Sequence, residues 1–214
     1  MNSRQHSATV PDTLFDDPVA EARWRARFTA PRISLPQWAP DAPDRCLYTS
    51  NASGTWEIYA WDRVTGTHRQ VTDRPHGTHI ATVTPDGEQV WWFADTDGDE
   101  FGSWVVEPFA GRPSGEPPQS AVAGTEPGYP AGLDIGRHSV AIGASTDEGT
   151  TVWFSRDGKP AEVIYHSEHD AGVGALSRDE QLLAITHSEQ GDSRHPEVRV
   201  LDTSQSTSGR SVTE

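Results

Sequence analysis

The chain has 214 residues, enough for one large domain or two small ones, and its 17 basic against 32 acidic side chains give a formal charge of −15. So acidic a balance argues against nonspecific binding to nucleic acid or to an anionic membrane, since both attract basic surfaces. One cysteine, Cys46, excludes an internal disulfide and any multi-cysteine metal site, and no apolar run approaches the roughly 18 residues of a membrane span.

The opening residues, MNSRQHSATVPD, lack the apolar core of a signal peptide, so a soluble cytoplasmic protein is expected, with residues 1–15 as a disordered tail. Residues 16–32 read as a helix and linker. Asp17 is placed to cap, Pro18 suits the first helical position because its missing N–H is unpaired there anyway, and Pro31 ends the segment. Trp24 and Phe28, four apart, share a face. That face is open to two readings, a solvated helix lying on the domain or a docking element.

From Ile33 the period changes from helical to alternating, and a repeat emerges. Trp38, Val83, Leu133 and Leu176 stand at spacings of 45, 50 and 43, each followed by a turn and then by a mostly apolar strand: Cys46–Thr49, Val90–Ala94, Ser139–Gly143 and Leu182–Thr186. The second halves repeat as well. Trp56, Ile58 and Ala60 alternate before a turn at Thr65-Gly66; a turn at Asp157-Gly158 leads to Val163–Tyr165; Val198 and Val200 alternate before a turn near Gly209. Each unit is a meander of four short strands in about 45 residues, the length and content of a propeller blade. A hydrophobic content of only 34%, with 19 glycines and 16 prolines, fits many short strands joined by turns. The expected fold is all-β: residues 33–214 form a partial β-propeller of about four four-stranded blades, near 33–75, 76–130, 131–170 and 171–214, after one short helix. Four blades could close as a ring or form part of a larger one. The polar stretch 110–130 reads as a surface loop, and the last residues fall in mid-strand, leaving none for a ring-closing strand.

Candidate chemistry is sparse. Asp95, Asp97, Asp99 and Glu100 around Gly98 resemble a calcium loop, but that motif puts glycine sixth and a bidentate glutamate twelfth. Counted from Asp95, glycine is fourth and the twelfth residue is Val106, so a hairpin is the better reading. No G-x-S-x-G nucleophile elbow occurs; Gly143–Asp147 and Gly191–His195 lack its second glycine and read as hairpin loops. His76/His79 and His166/His169 share an H-x-x-H spacing that chelates from strands only across a turn. Solvated loop histidines are expected instead. Trp56, Trp61, Trp91, Trp92, Trp104 and Trp153 fall in predicted strands, where packing between blades is the default and a carbohydrate platform the sharper alternative. The Asn51–Ser53 sequon has no meaning without export. No catalytic residue, cofactor site or metal site is assigned.

Together, PQWAPD and WEIYAWDRVTGTHRQVTD, the TPDG turn with its aromatic strand and Asp95–Glu100, and SRDEQLLAITH resemble the N-terminal propeller of prolyl oligopeptidase-family serine peptidases, in the acylaminoacyl-peptidase and dipeptidyl-aminopeptidase branch. The PDG turn is shared with TolB-like propellers. The resemblance implies a propeller, often seven-bladed, that gates oligopeptide access and docks an α/β-hydrolase domain. The catalytic serine, aspartate and histidine belong to that domain, so none is carried over to this chain. The alternative is an independent TolB-like or WD-type interaction module.

Overall fold

The computed structural model describes residues 11–191 and 194–204. The chain divides into two compact units, Met1–Arg32 and Ile33–Glu214.

The first unit is built around α1, Pro18–Thr29. Asp17 caps it, its side chain accepting from the Val19 amide at 2.9 Å, and Pro18 occupies the first helical position. Glu21, nearly buried, accepts from the amides of Leu14 (3.0 Å) and Phe15 (3.2 Å) and from Arg25 Nε (2.6 Å). Those bonds fold the preceding chain back on the helix, so Leu14 and Phe15, expected in a disordered tail, belong to this unit. Phe15, Trp24 and Phe28 form an aromatic row along it, with ring centroids 6.4 and 5.0 Å apart.

The second unit is a partial β-propeller of four antiparallel sheets, each a meander in sequence order. The first sheet holds β1 (Gln37–Trp38), β2 (Arg45–Ser50), β3 (Glu57–Asp62) and β4 (Thr67–Gln70). The second holds β5 (Ala81–Val83), β6 (Gln89–Asp95), β7 (Gly102–Pro108) and β8 (Gln119–Ser120). In the third are β9 (Tyr129–Ile135), β10 (Ser139–Thr146), β11 (Gly149–Arg156) and β12 (Glu162–Ser167). The fourth shows three strands: β13 (Ala171–Leu176), β14 (Leu182–His187) and β15 (Glu197–Asp202). The expected turn near Gly209 and anything after it lie outside the described residues.

Period-two alternation explains how the sheets stack, because successive side chains point to opposite faces. Leu47, Ile58 and Ala60 of the first sheet meet Val83, Val90 and Trp92 of the second. From the opposite face of β6, Trp91 and Phe93 join Trp104 and meet Val140 and Ile142 of the third sheet. Ala141 and Val152 then meet Leu183, Ile185 and Leu201 of the fourth. The unbroken apolar run of β6 is thus buried on both faces. Fully buried Ile58, Val90, Val152 and Leu183 each contribute about 2 kcal/mol by leaving water.

No core cluster among the described residues joins the first sheet to the fourth. On the outer face of the fourth sheet Leu182 and Val198 are 40% and 64% exposed. On that of the first, Tyr48 stacks on Tyr59 at 5.2 Å and Trp61 on His68 at 5.3 Å. Among the described residues the first and fourth sheets share no strand pairing and no core cluster.

Two details depart from expectation. The stretch 110–130 is more than a surface loop: it supplies β8, and its Ala121 and Val122 pack into the core between the second and third sheets. Trp56 precedes β3 rather than lying in it and is 39% exposed, while its carbonyl accepts from the Thr78 amide at 2.6 Å.

Candidate functional site

The turns joining the first and second strands of the sheets carry a connected set of polar links between sheets. In the second sheet that turn is Thr84-Pro85-Asp86-Gly87. Gly87 takes φ +73°, and a Cβ there would press on Arg45 and Ala42 of the first sheet. Arg45 reaches across to the Gly87 carbonyl (3.0 Å) and the Glu88 carboxylate (2.6 Å), and the Asp41 amide donates to the Pro85 carbonyl at 2.8 Å. Arg137, from the turn of the third sheet, spans the second sheet altogether. Its Nε and Nη2 donate to the two carboxylate oxygens of Asp41, each at 2.7 Å. This two-pronged pair holds the Asp41 carboxyl below the usual carboxylate range.

The fourth sheet has no glycine at this turn. Glu180 stands there with φ +59°, a left-handed conformation unfavourable for a side chain with a Cβ. Its carboxylate accepts from the amides of Arg137 (2.6 Å) and His138 (3.1 Å), and its carbonyl from Arg156 Nη2 (2.5 Å) and Thr203 Oγ1 (2.9 Å). Burial works against the charged form, but the amide hydrogen bonds outweigh it and keep the Glu180 carboxyl below its ordinary range. Gly136 makes room for this approach: a Cβ there would lie 2.5 Å from the Glu180 carboxyl carbon.

On this turn face a cavity of about 530 Å³ opens between the second and third sheets. Thr84–Asp86 and Gln89 form one wall, Gly136–Val140 with Gly158 and Lys159 another, and Trp91, Val122 and Ile135 part of the rest. Its size is that of a small-molecule or peptide site.

The residues that the sequence singled out fall elsewhere. Asp97, Gly98 and Glu100 all have positive φ, and Asp99 accepts from the amides of Thr96 (3.2 Å) and Phe101 (3.0 Å), closing the hairpin on itself. Asp95 pairs with Arg74 at 3.1 Å. His76 and His79 share a cavity of about 230 Å³ with Asp95 and Glu100; among the described residues no three metal-ligating side chains converge. His166 is held apart on an outer strand by Thr151 Oγ1 (3.0 Å), and His169 lies beside Gly191. Ser145 of the Gly143–Asp147 string bonds Thr150 Oγ1 at 2.8 Å across the β10–β11 hairpin; Asp192 and Ser193 of the other string lie outside the described residues. Cys46 is buried, and burial pushes its thiol up. Trp91, Trp92, Trp104 and Trp153 are buried between sheets. No described helix is long and apolar enough to cross a membrane.

Two polar systems escaped sequence reasoning because each includes a partner that only the stacking of neighbouring sheets brings near, Arg69 in one and Tyr165 in the other. Buried Glu107 on β7 accepts from Arg69 Nη1 of β4 (2.7 Å) and from Arg112 Nε (2.6 Å). His187 on β14 joins Tyr165 of β12 through Nδ1 and Glu189 through Nε2 (2.9 Å), and Glu189 meets Arg199 (2.5 Å). With Nε2–H donating to Glu189, Nδ1 accepts from the Tyr165 hydroxyl, which burial keeps protonated.

No protein-family model and no curated protein matches the sequence. Solved structures do share the fold. A putative TolB from Agrobacterium tumefaciens is similar with a TM-score of 0.56 and 16% identity, over 86% of this chain and 62% of that one. The β-propeller domain of the Trilobed protease from Pyrococcus furiosus, described as having an open velcro topology, gives 0.59 and 11%, over 86% and 58%. A prolyl endopeptidase gives 0.58 and 16%, over 92% of this chain and 34% of that one. This chain therefore spans about three-fifths of the first two proteins and a third of the peptidase.

Proposed function

We propose that the chain supplies the non-catalytic propeller portion of a prolyl oligopeptidase-type serine peptidase. In that role the blades gate oligopeptide access and dock an α/β-hydrolase domain lying outside these 214 residues, with the Trp24/Phe28 row of α1 as part of the docking surface. The finer kinship, to the acylaminoacyl-peptidase and dipeptidyl-aminopeptidase branch, and a cytoplasmic location belong to the same reading. The observation that carries it is the likeness to a prolyl endopeptidase over 92% of this chain, joined to the resemblance of the TPDG turn, the aromatic strand and Asp95–Glu100. The test is the coding sequence beyond the codon for Glu214. A frame encoding G-x-S-x-G within one further domain, about 250 codons, supports the reading, and its absence there and elsewhere in the same transcript removes it.

A second reading is an independent TolB-like or WD-type interaction module. It is favoured by the TolB likeness, in which this chain spans a larger share, 62%, of its counterpart. Under it the expressed chain stays soluble and functions with no hydrolase in the complex.

A further inference from the structure

We propose that the Asp41–Arg137 pair is an ionic latch on the cavity between the second and third sheets, parting and re-forming so that the width of the cavity's mouth follows ionic strength. The inference stands on how the walls of that cavity are joined, and it holds under either reading above.

Most of the boundary between these two sheets is fastened by backbone. At the strand ends away from the turn face, Gly102 and Gly128 exchange both amide hydrogen bonds, at 3.1 and 3.0 Å. The Ala121 amide donates to the Trp104 carbonyl at 3.0 Å, and the Ala161 amide to the Ala123 carbonyl at 2.7 Å. The stretch 121–123 is thus bonded to the second sheet at one end and to the third at the other. Bonds between neutral groups offer salt no net charge to screen.

The turns are joined differently. Among the described residues no hydrogen bond runs directly between 84–89 and 136–140, which supply opposite walls of the cavity. The link passes through Asp41. Its amide donates to the Pro85 carbonyl at 2.8 Å, fixing it to one wall, and its carboxylate takes both prongs of Arg137. Arg137 is rooted in the other wall, where its own amide donates to Glu180 at 2.6 Å. Asp41 and Arg137 both line the cavity. From the fourth sheet's turn the charge of Arg178 favours the Asp41 carboxylate, and that of Glu180 the Arg137 guanidinium.

Two properties make this join reversible. The Arg137 and Asp41 side chains are 54% and 36% exposed, so water and salt ions compete for both, and exposed pairs are weak enough to break and re-form. Parting them also needs only side-chain rotation, which is fast. The packing of Trp91 and Phe93 on Val140 and Ile142 stays in place, as do the backbone bonds.

The test uses the full chain with ¹³C-labelled isoleucine and valine methyl groups, and the neutral nitroxide TEMPOL as a soluble paramagnetic probe. Val122 and Ile135 line the cavity, whereas Ile58 and Val152 are fully buried between other sheets and report any general loosening. From about 10 mM to about 1 M sodium chloride the Debye length falls from roughly 30 to roughly 3 Å. Over that range the relaxation enhancement at Val122 and Ile135 is expected to rise roughly threefold, with Ile58 and Val152 unchanged. Asp41→Asn and Arg137→Gln are expected to show the high value at both salt concentrations. Asp41→Glu, which keeps an acid in place, is expected to retain the salt dependence. The salt series on the parent needs no variant to fold. The proposal is overturned if Val122 and Ile135 respond neither to salt nor to Asp41→Asn, because the pair then does not control entry. A parallel rise at Ile58 and Val152 overturns it equally, since the whole unit would then be loosening.

Discussion

Glu180 concentrates two opposing effects in one residue. Its left-handed backbone costs about 1 kcal/mol relative to glycine, while its buried carboxylate gains charge-assisted bonds from the Arg137 and His138 amides, about 2 kcal/mol together. Glu180→Ala loses the bonds and keeps the backbone cost; Glu180→Gly loses the bonds but relieves it. Denaturant unfolding is expected to rank Ala below Gly by about 1 kcal/mol, with both below the parent. Equal stability of the two variants would show that the turn is not strained. The pH dependence has a definite sign. Because the folded-state pKa of Glu180 is depressed, its contribution is full above the ordinary carboxyl value of about 4.3 and is lost as pH falls through the folded value. Glu180→Gln is therefore expected to flatten the fall in stability below that value. A fall as steep as the parent's would assign it to other carboxylates such as Asp41. Little of this was legible in sequence. The Arg178-Asp179 turn is readable, but nothing local says that the residue after it crosses to the neighbouring sheet. Nor does the spacing of Arg137 and Asp41 announce a pair formed only after two further sheets are in place.

At the scale of elements, alternation and turn residues made the strands legible. Cys46–Thr49 and Val90–Ala94 lie within β2 and β6, because a half-buried or doubly buried strand leaves its mark on every residue. The stretch 110–130 left no such mark. β8 spans two residues, and Ala121 and Val122 pack from between prolines and glycines. The links between elements were equally silent, and Glu107 shows what they carry. One buried carboxylate serves two arginines, so the partners are not equivalent. Glu107→Leu leaves both guanidinium groups without their acid and is expected to cost about 3–5 kcal/mol, whereas Arg69→Leu leaves the Arg112 pair intact and is expected to cost less. Thermal unfolding of the two variants decides the matter; an equal loss would mean that Arg112 does not compensate. The Tyr165–His187 link gives a milder case. Tyr165→Phe removes the donor to His187 Nδ1 and is expected to cost about 1–3 kcal/mol by leaving that nitrogen buried and unpaired, measured in the same way.

The whole molecule poses a different problem, because stacking sheets solves the burial of every face except the first and last. The outer face of the fourth sheet carries Leu182, Ala184, Val198 and Val200 on neighbouring strands, paired Leu182 with Asp202 and Ala184 with Val200. The outer face of the first presents Tyr48, Tyr59 and Trp61. A propeller normally hides such faces by closing its ring, and apolar sheet faces left in water drive association. The sequence marked these strands as mostly apolar or alternating. It could not tell whether a neighbour was present, since an interior blade and a terminal one have the same pattern. The expectation is that the chain alone associates as its concentration rises, and that Val198→Lys, which puts a charge at the most exposed apolar position of the fourth sheet's outer face, suppresses this without changing the unfolding midpoint by more than about 0.5 kcal/mol. Sedimentation velocity across a concentration series measures the first effect, and denaturant unfolding the second. If the parent stays monomeric throughout, the exposed outer faces are tolerated by this fold. If Val198→Lys instead unfolds the chain, that face already carries packing that stabilises the fourth sheet.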